Sequence, residues 1–118
     1  MVKRLNMLTL RRKNDRYTID HTQGKYGQRV AYSFSHDFLP EGVLLHMHSL
    51  DVFKETEDTV YPLTEQQDKA IVNVLKKLQG ERNSSYIFSE HLQKTYLVEL
   101  IHLITKIHRG GLLTRSSA

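Results

Sequence analysis

Residues 64–109, TEQQDKAIVNVLKKLQGERNSSYIFSEHLQKTYLVELIHLITKIHR, decide the fold. Thr64 stands three residues before Gln67, the spacing of a capping box, and Glu65 falls in the first turn, where the helix dipole favours negative charge. Ile71, Val74, Leu75 and Leu78 then recur at helical spacing, until Gly80, Asn83 and two serines close the segment. The pattern predicts an amphipathic helix of about four or five turns. A second helix is predicted to start near Ser84 or Ser85 and to run to about His108, where Gly110 and Gly111 stop it.

That second helix carries a wide apolar surface. Phe88, Leu92, Tyr96, Leu100, Leu103 and Ile107 form one stripe, and Leu97, Ile101 and Ile104 form another beside it. One helical neighbour occupies one such face, so the second stripe asks for a further partner, either the chain's own sheet or a second copy. The small sheet foreseen from the first half favours the second copy, with Leu97, Leu100, Ile101 and Ile104 as the contact of a homodimer through the last helix.

Upstream of residue 60 the composition turns from helical to β-like. Tyr17 and Ile19 alternate with polar residues, HTQGKYGQ supplies a connection, and Val30, Tyr32 and Phe34 alternate with Ala31 and Ser33. Two paired strands follow, with Val30, Tyr32 and Phe34 on the buried side; Leu5 to Leu10 is a further strand of imperfect alternation. SHDFLPEG after Phe34 reads as a short helical turn capped by Ser35, anchored by Phe38 and Leu39 and ended by Pro40 and Gly42. A loop or short strand, VLLHMHSLDVF, leads into an acidic connection. The expected fold class is therefore α+β: a small antiparallel β-sheet followed by two antiparallel α-helices, in one domain over residues 1–118, β-rich over 1–60, helical over 61–109, with a tail over 110–118.

Composition bounds the function. The apolar share of 39% is ordinary for a folded chain, and no apolar stretch approaches the twenty or so residues of a membrane span. Charge breaks the amino terminus before it could act as a signal peptide, so a cytoplasmic location is expected. With no cysteine there is no disulfide, thiolate nucleophile or zinc ribbon. The net charge of +4 is unevenly spread: Lys3, Arg4, Arg11, Arg12, Lys13 and Arg16 face only Asp15 in the first sixteen residues. A solvated arm or charged edge strand, which resists edge-to-edge aggregation, is the plainer reading than a phosphate-binding patch.

The run VAYSFSHDFLPEG, an acidic connection, and then the two helical segments in this order resemble the regulatory domain of bacterial AraC-family transcription regulators, over about residues 28–109. In that family a cupin-like barrel ends in a strand of the form Gly-Tyr-x-x-x-Phe-Ser followed by a short Phe-Leu turn. Tyr32, Phe34, Ser35, Phe38 and Leu39 supply its residue types in order, with one residue rather than three between the tyrosine and the phenylalanine and Ala31 where glycine is common; Glu81 and Arg109 resemble the acidic and basic residues near the ends of the family's two helices. The resemblance implies a partial cupin-like barrel around a small-molecule effector, with Tyr32 and Phe34 as survivors of a ligand-facing wall, and helices that mediate dimerisation. It departs from the pattern at both ends. Too few residues precede Val30 for the family's first barrel strands, and GGLLTRSSA stands where its helix-turn-helix motifs follow, so DNA would be reached only through a domain absent from this chain.

Other candidates are weaker. His46 and His48 place two imidazoles on one side of an extended segment and are the best metal candidates, yet Asp51 and Glu55 do not stand at the spacing of the cupin His-x-His-Glu set, so no metal is expected. His36 beside Asp37 lacks any nucleophile motif; His91, His102 and His108 read as packing at the edge of the last helix. The glycines fit neither a phosphate loop nor a dinucleotide fingerprint, and no cofactor is expected. The expected role is effector sensing and dimerisation in transcription control, without catalysis; the alternatives are a small basic nucleic-acid-binding protein and, behind it, a metal-binding cupin.

Overall fold

A computed structural model of the chain describes residues 6–24, 27–43, 45, 52–54 and 57–110. Strands β1 (Asn6–Lys13), β2 (Arg16–Thr22), β3 (Arg29–Ser35) and β4 (Thr59–Leu63) form one antiparallel sheet in the order β3-β2-β1-β4. Asn14 and Asp15 join β1 to β2, with Asn14 at φ 55°, a left-handed conformation that asparagine tolerates better than most residues. Between β2 and β3 the Gln23 amide donates to the Gln28 carbonyl, and a Cβ at Gly27 would collide with the Gln23 carbonyl oxygen, so the connection requires glycine there.

The segment around Leu8 and Leu10 is thus a central strand, longer than its alternation suggested because it pairs on both sides. β4 falls in the stretch foreseen as an acidic connection. Pro62 is tolerated because β4 is an edge strand, with no neighbour beyond it among the described residues to need the missing N–H.

Side chains alternate across the sheet with period two. Leu8, Leu10, Tyr17, Ile19, Tyr32, Phe34 and Leu63 are buried on one face. Helices α1 (Glu65–Arg82) and α2 (Ser89–His108) cover that face. The capping box forms as predicted: Thr64 Oγ1 accepts from the Gln67 amide at 3.1 Å, and Gln67 Oε1 accepts from the Thr64 amide at 2.9 Å. Near the β1–β2 turn, Tyr17 and Phe34 stack at 5.2 Å and Phe53 meets Tyr17 edge-on at 5.1 Å, which brings the connection before β4 into the core. His36–Phe38 forms a short 3-10 turn as foreseen, although Ser35 makes no side-chain cap bond.

α2 begins four or five residues later than its pattern suggested. Ser84 Oγ accepts from the Tyr86 amide and the Ser89 hydroxyl donates to the Glu81 carbonyl, so residues 84–88 form a connecting turn and Phe88 is exposed rather than part of a stripe.

Two expectations about side chains are corrected. Leu97, Leu100, Ile104 and Ile101, foreseen as a dimer contact, are 0, 0, 1 and 3% exposed within this one chain. The reason is the extent of the sheet. Tyr32 on β3 donates to Gln93 Oε1 at 3.4 Å, and the Tyr61 hydroxyl on β4 lies 2.7 Å from His108 Nδ1, so α2 crosses from one sheet edge to the other while packing beside α1. Its two stripes serve two internal neighbours. Tyr32 and Phe34, foreseen as ligand-facing, lie in the same core between sheet and helices. The four strands form an open sheet rather than a closed barrel.

Candidate functional site

Among the described residues no helix lies on the second face of the sheet: Ala31, Val60 and Pro62 are exposed there. One polar side chain on this face is nonetheless buried. Asp20, in the middle of β2, is 2% exposed. The strand register explains how. Asp20 lies opposite Thr9 on β1 and Ala31 on β3, two small residues that leave room above it. Arg11 and Arg29 stand two positions further along those neighbouring strands, at diagonal positions on opposite sides of Asp20, within reach of a long side chain.

Both guanidiniums fold over the carboxylate. Arg29 Nε donates to Oδ1 and Oδ2 of Asp20 at 2.9 and 2.8 Å, and Arg11 Nη1 donates to Oδ2 at 2.7 Å. Arg11 Nε reaches on to Asp58 Oδ2 at 3.2 Å. Beside the cluster Thr18 Oγ1 and Ser33 Oγ share a hydrogen bond of 3.0 Å. Burial pushes the Asp20 carboxyl up, but the hydrogen bonds from Arg29 and Arg11 and then their charges outweigh it, and the carboxyl ends below its usual value. Hydrogen bonding to Asp20 raises both arginines correspondingly. A buried carboxylate is kept ionised, and two half-exposed guanidiniums are held still with part of their donor set directed to solvent. Such an arrangement can receive a ligand rich in oxygen atoms.

On the helix-covered face, β2 presents His21 next to Asp20. Its Nε2 lies 2.6 Å from Asp68 Oδ1 on α1, a link that fastens sheet to helix. Neither cluster was foreseen from the sequence. Its signal was parity: Asp20 and His21 sit inside an alternating strand, where a carboxylate and an imidazole each need a partner.

The remaining candidates fall apart in space. His46 and His48 lie outside the described residues; among those described, no group of three metal-ligating side chains gathers. His91 and His102 are exposed on α2, and His108 meets Tyr61. Of the basic amino-terminal stretch, Lys3 and Arg4 lie outside the described residues. Arg11 is bound to Asp20 and Asp58, Arg12 lies 5.5 Å over the Tyr17 ring, and Lys13 and Arg16 are exposed at the hairpin end. No helix among the described residues is long and apolar enough to cross a membrane. Comparison with protein-family models, with curated proteins and with solved structures finds no match.

Proposed function

We propose that this chain is a non-catalytic effector-sensing domain of the bacterial AraC-regulator type, cytoplasmic, whose effector is a small oxygen-rich molecule held on the open sheet face by Arg11 and Arg29. The reading rests on the sequence resemblance for its class and on one observation for its site: α1 and α2 lie on one face of the sheet, and the other carries a cluster of charges already bonded to one another. Preorganised donors lose little freedom when a ligand arrives, which is the economical way to bind a polar molecule in water. In this reading the ligand-facing side chains are Thr9, Arg11, Thr18 and Arg29 rather than Tyr32 and Phe34. DNA contact belongs to a separate helix-turn-helix domain. Pairing through Leu97, Leu100, Ile101 and Ile104 is no part of it, because those four side chains fill the core.

A thermal-shift screen of sugars, sugar acids and small dicarboxylates, followed by backbone NMR of the strongest stabiliser, tests the site. The expected result is a saturable shift at residues 9–11, 18–20 and 29–31 that Arg29→Gln abolishes. A ligand whose shifts spare those strands, or a screen without any stabiliser, would sink the proposal.

A nucleic-acid reading has one observation in its favour: Arg11, Arg12, Lys13 and Arg16 line a shallow depression at the β1–β2 end beside a single carboxylate among the described residues, Asp58. Phosphate contacts weaken steeply as salt rises, so this reading requires oligonucleotide binding with a strong salt dependence that Lys13→Gln and Arg16→Gln together diminish.

A further inference from the structure

A groove opens on the helix-covered side, between the β2–β3 end of the sheet and α1, with a volume of about 210 Å³. Val30 from β3 and Val72 and Leu75 from α1 form its apolar surface, and Val30 and Val72 are only half-buried there. Gln79 borders it, and among the described residues the groups facing it that can carry charge are His21 and Lys76. We infer that this groove binds a short monocarboxylate with an apolar tail, the carboxylate at Lys76 and the tail on the two valines and Leu75.

Charge, shape and hydrogen bonding agree on that ligand. Among the described residues Lys76 makes no ion pair and no carboxylate lines the groove, so one anionic group is matched and an additional ammonium, as in an amino acid, is not. His21 is held by its Nε2 against Asp68, while its Nδ1 makes no hydrogen bond among the described residues and is left for a water that bridges to the ligand. The volume lies below the few hundred Å³ typical of drug-sized ligands, which sets the tail at a handful of carbons. On the hairpin side the Gln23–Gln28 backbone bond and the close approach of Gly27 to Gln23 hold the two glutamines that line the groove at a set spacing. It is separate from the effector face, because Asp20 and His21 point to opposite sides of β2.

The probes are hexanoate and its uncharged analogue hexanamide, titrated against the full chain and followed by methyl and imidazole NMR. Hexanoate is expected to shift the Val30, Val72 and Leu75 methyls saturably and hexanamide to bind up to about five-fold more weakly, the range an exposed ion pair supplies. Lys76→Gln, a change at an exposed position, should equalise the two probes, and Val72→Trp should exclude both while circular dichroism stays unchanged. Absence of saturable methyl shifts, shifts confined to Ala31 and Val60 on the opposite face, or an undiminished preference for hexanoate in Lys76→Gln overturns the proposal. Failure here leaves the Arg29→Gln result on the effector face standing, and the reverse.

Discussion

The two faces of β2 bury side chains by different means. Toward the helices, Tyr17, Ile19 and His21 are enclosed largely by hydrocarbon and rings, and His21 meets Asp68 through its Nε2. Toward the other side, Thr18, Asp20 and Thr22 have no helix above them among the described residues, and Asp20 disappears from solvent under two guanidiniums. The first kind of burial is non-directional and tolerates changes of shape as long as volume is kept. The second depends on three particular groups at particular angles, and its strength varies with pH and salt. A strand of seven residues thus separates a scaffold from a surface that can respond to its surroundings.

Removing volume from the first face should have the largest effect. Leu100→Ala, at a fully enclosed position of α2, is expected to cost about 3–5 kcal/mol, seen as a lower urea midpoint with an unchanged slope. A cost near zero would mean that α2 does not hold the sheet.

On the charged face, Asp20→Asn should cost about 2–3 kcal/mol at neutral pH, since it leaves two guanidiniums without their shared anion. Asp20 is held below the ordinary aspartate value of 3.8 in the folded chain, so its contribution is complete above that value and is lost as pH falls through the lower folded value. The stability gap between wild type and Asp20→Asn, measured by urea titration across pH 2–7, should therefore close only in acid, whereas the Leu100→Ala gap should persist. Should the two gaps respond alike to pH, the contrast between the faces is wrong.

The smallest effect concerns the helical cover. Thr64→Ala removes one half of the capping box and should cost about 1 kcal/mol, with the loss of amide protection confined to the first turn of α1.

The helical half was largely legible. The Thr64 and Gln67 pair marked the start of α1, and Ile71, Val74, Leu75 and Leu78 marked its buried side, because both signals are local in sequence. The width of the α2 apolar surface was also legible, but its cause was not. Counting stripes shows how many neighbours a helix needs and is silent on whether those neighbours belong to the same chain. β4 supplied the missing area, and Thr59–Leu63 concealed itself behind Pro62 and an acidic approach. The parity of β3 correctly buried Tyr32 and Phe34; the error was to equate a buried wall with a ligand wall. The Asp20 cluster joins residues nine apart on either side, and that distance becomes contact only once two hairpin registers are known.

β2 is gripped from four directions: laterally by β1 and β3, from above through Asp20 and from below through His21. It is the tension member of the molecule. Tilting it would wrench the arginine clamp and the helix tie in opposite senses, so the edges of the sheet can fray while this one strand keeps its place.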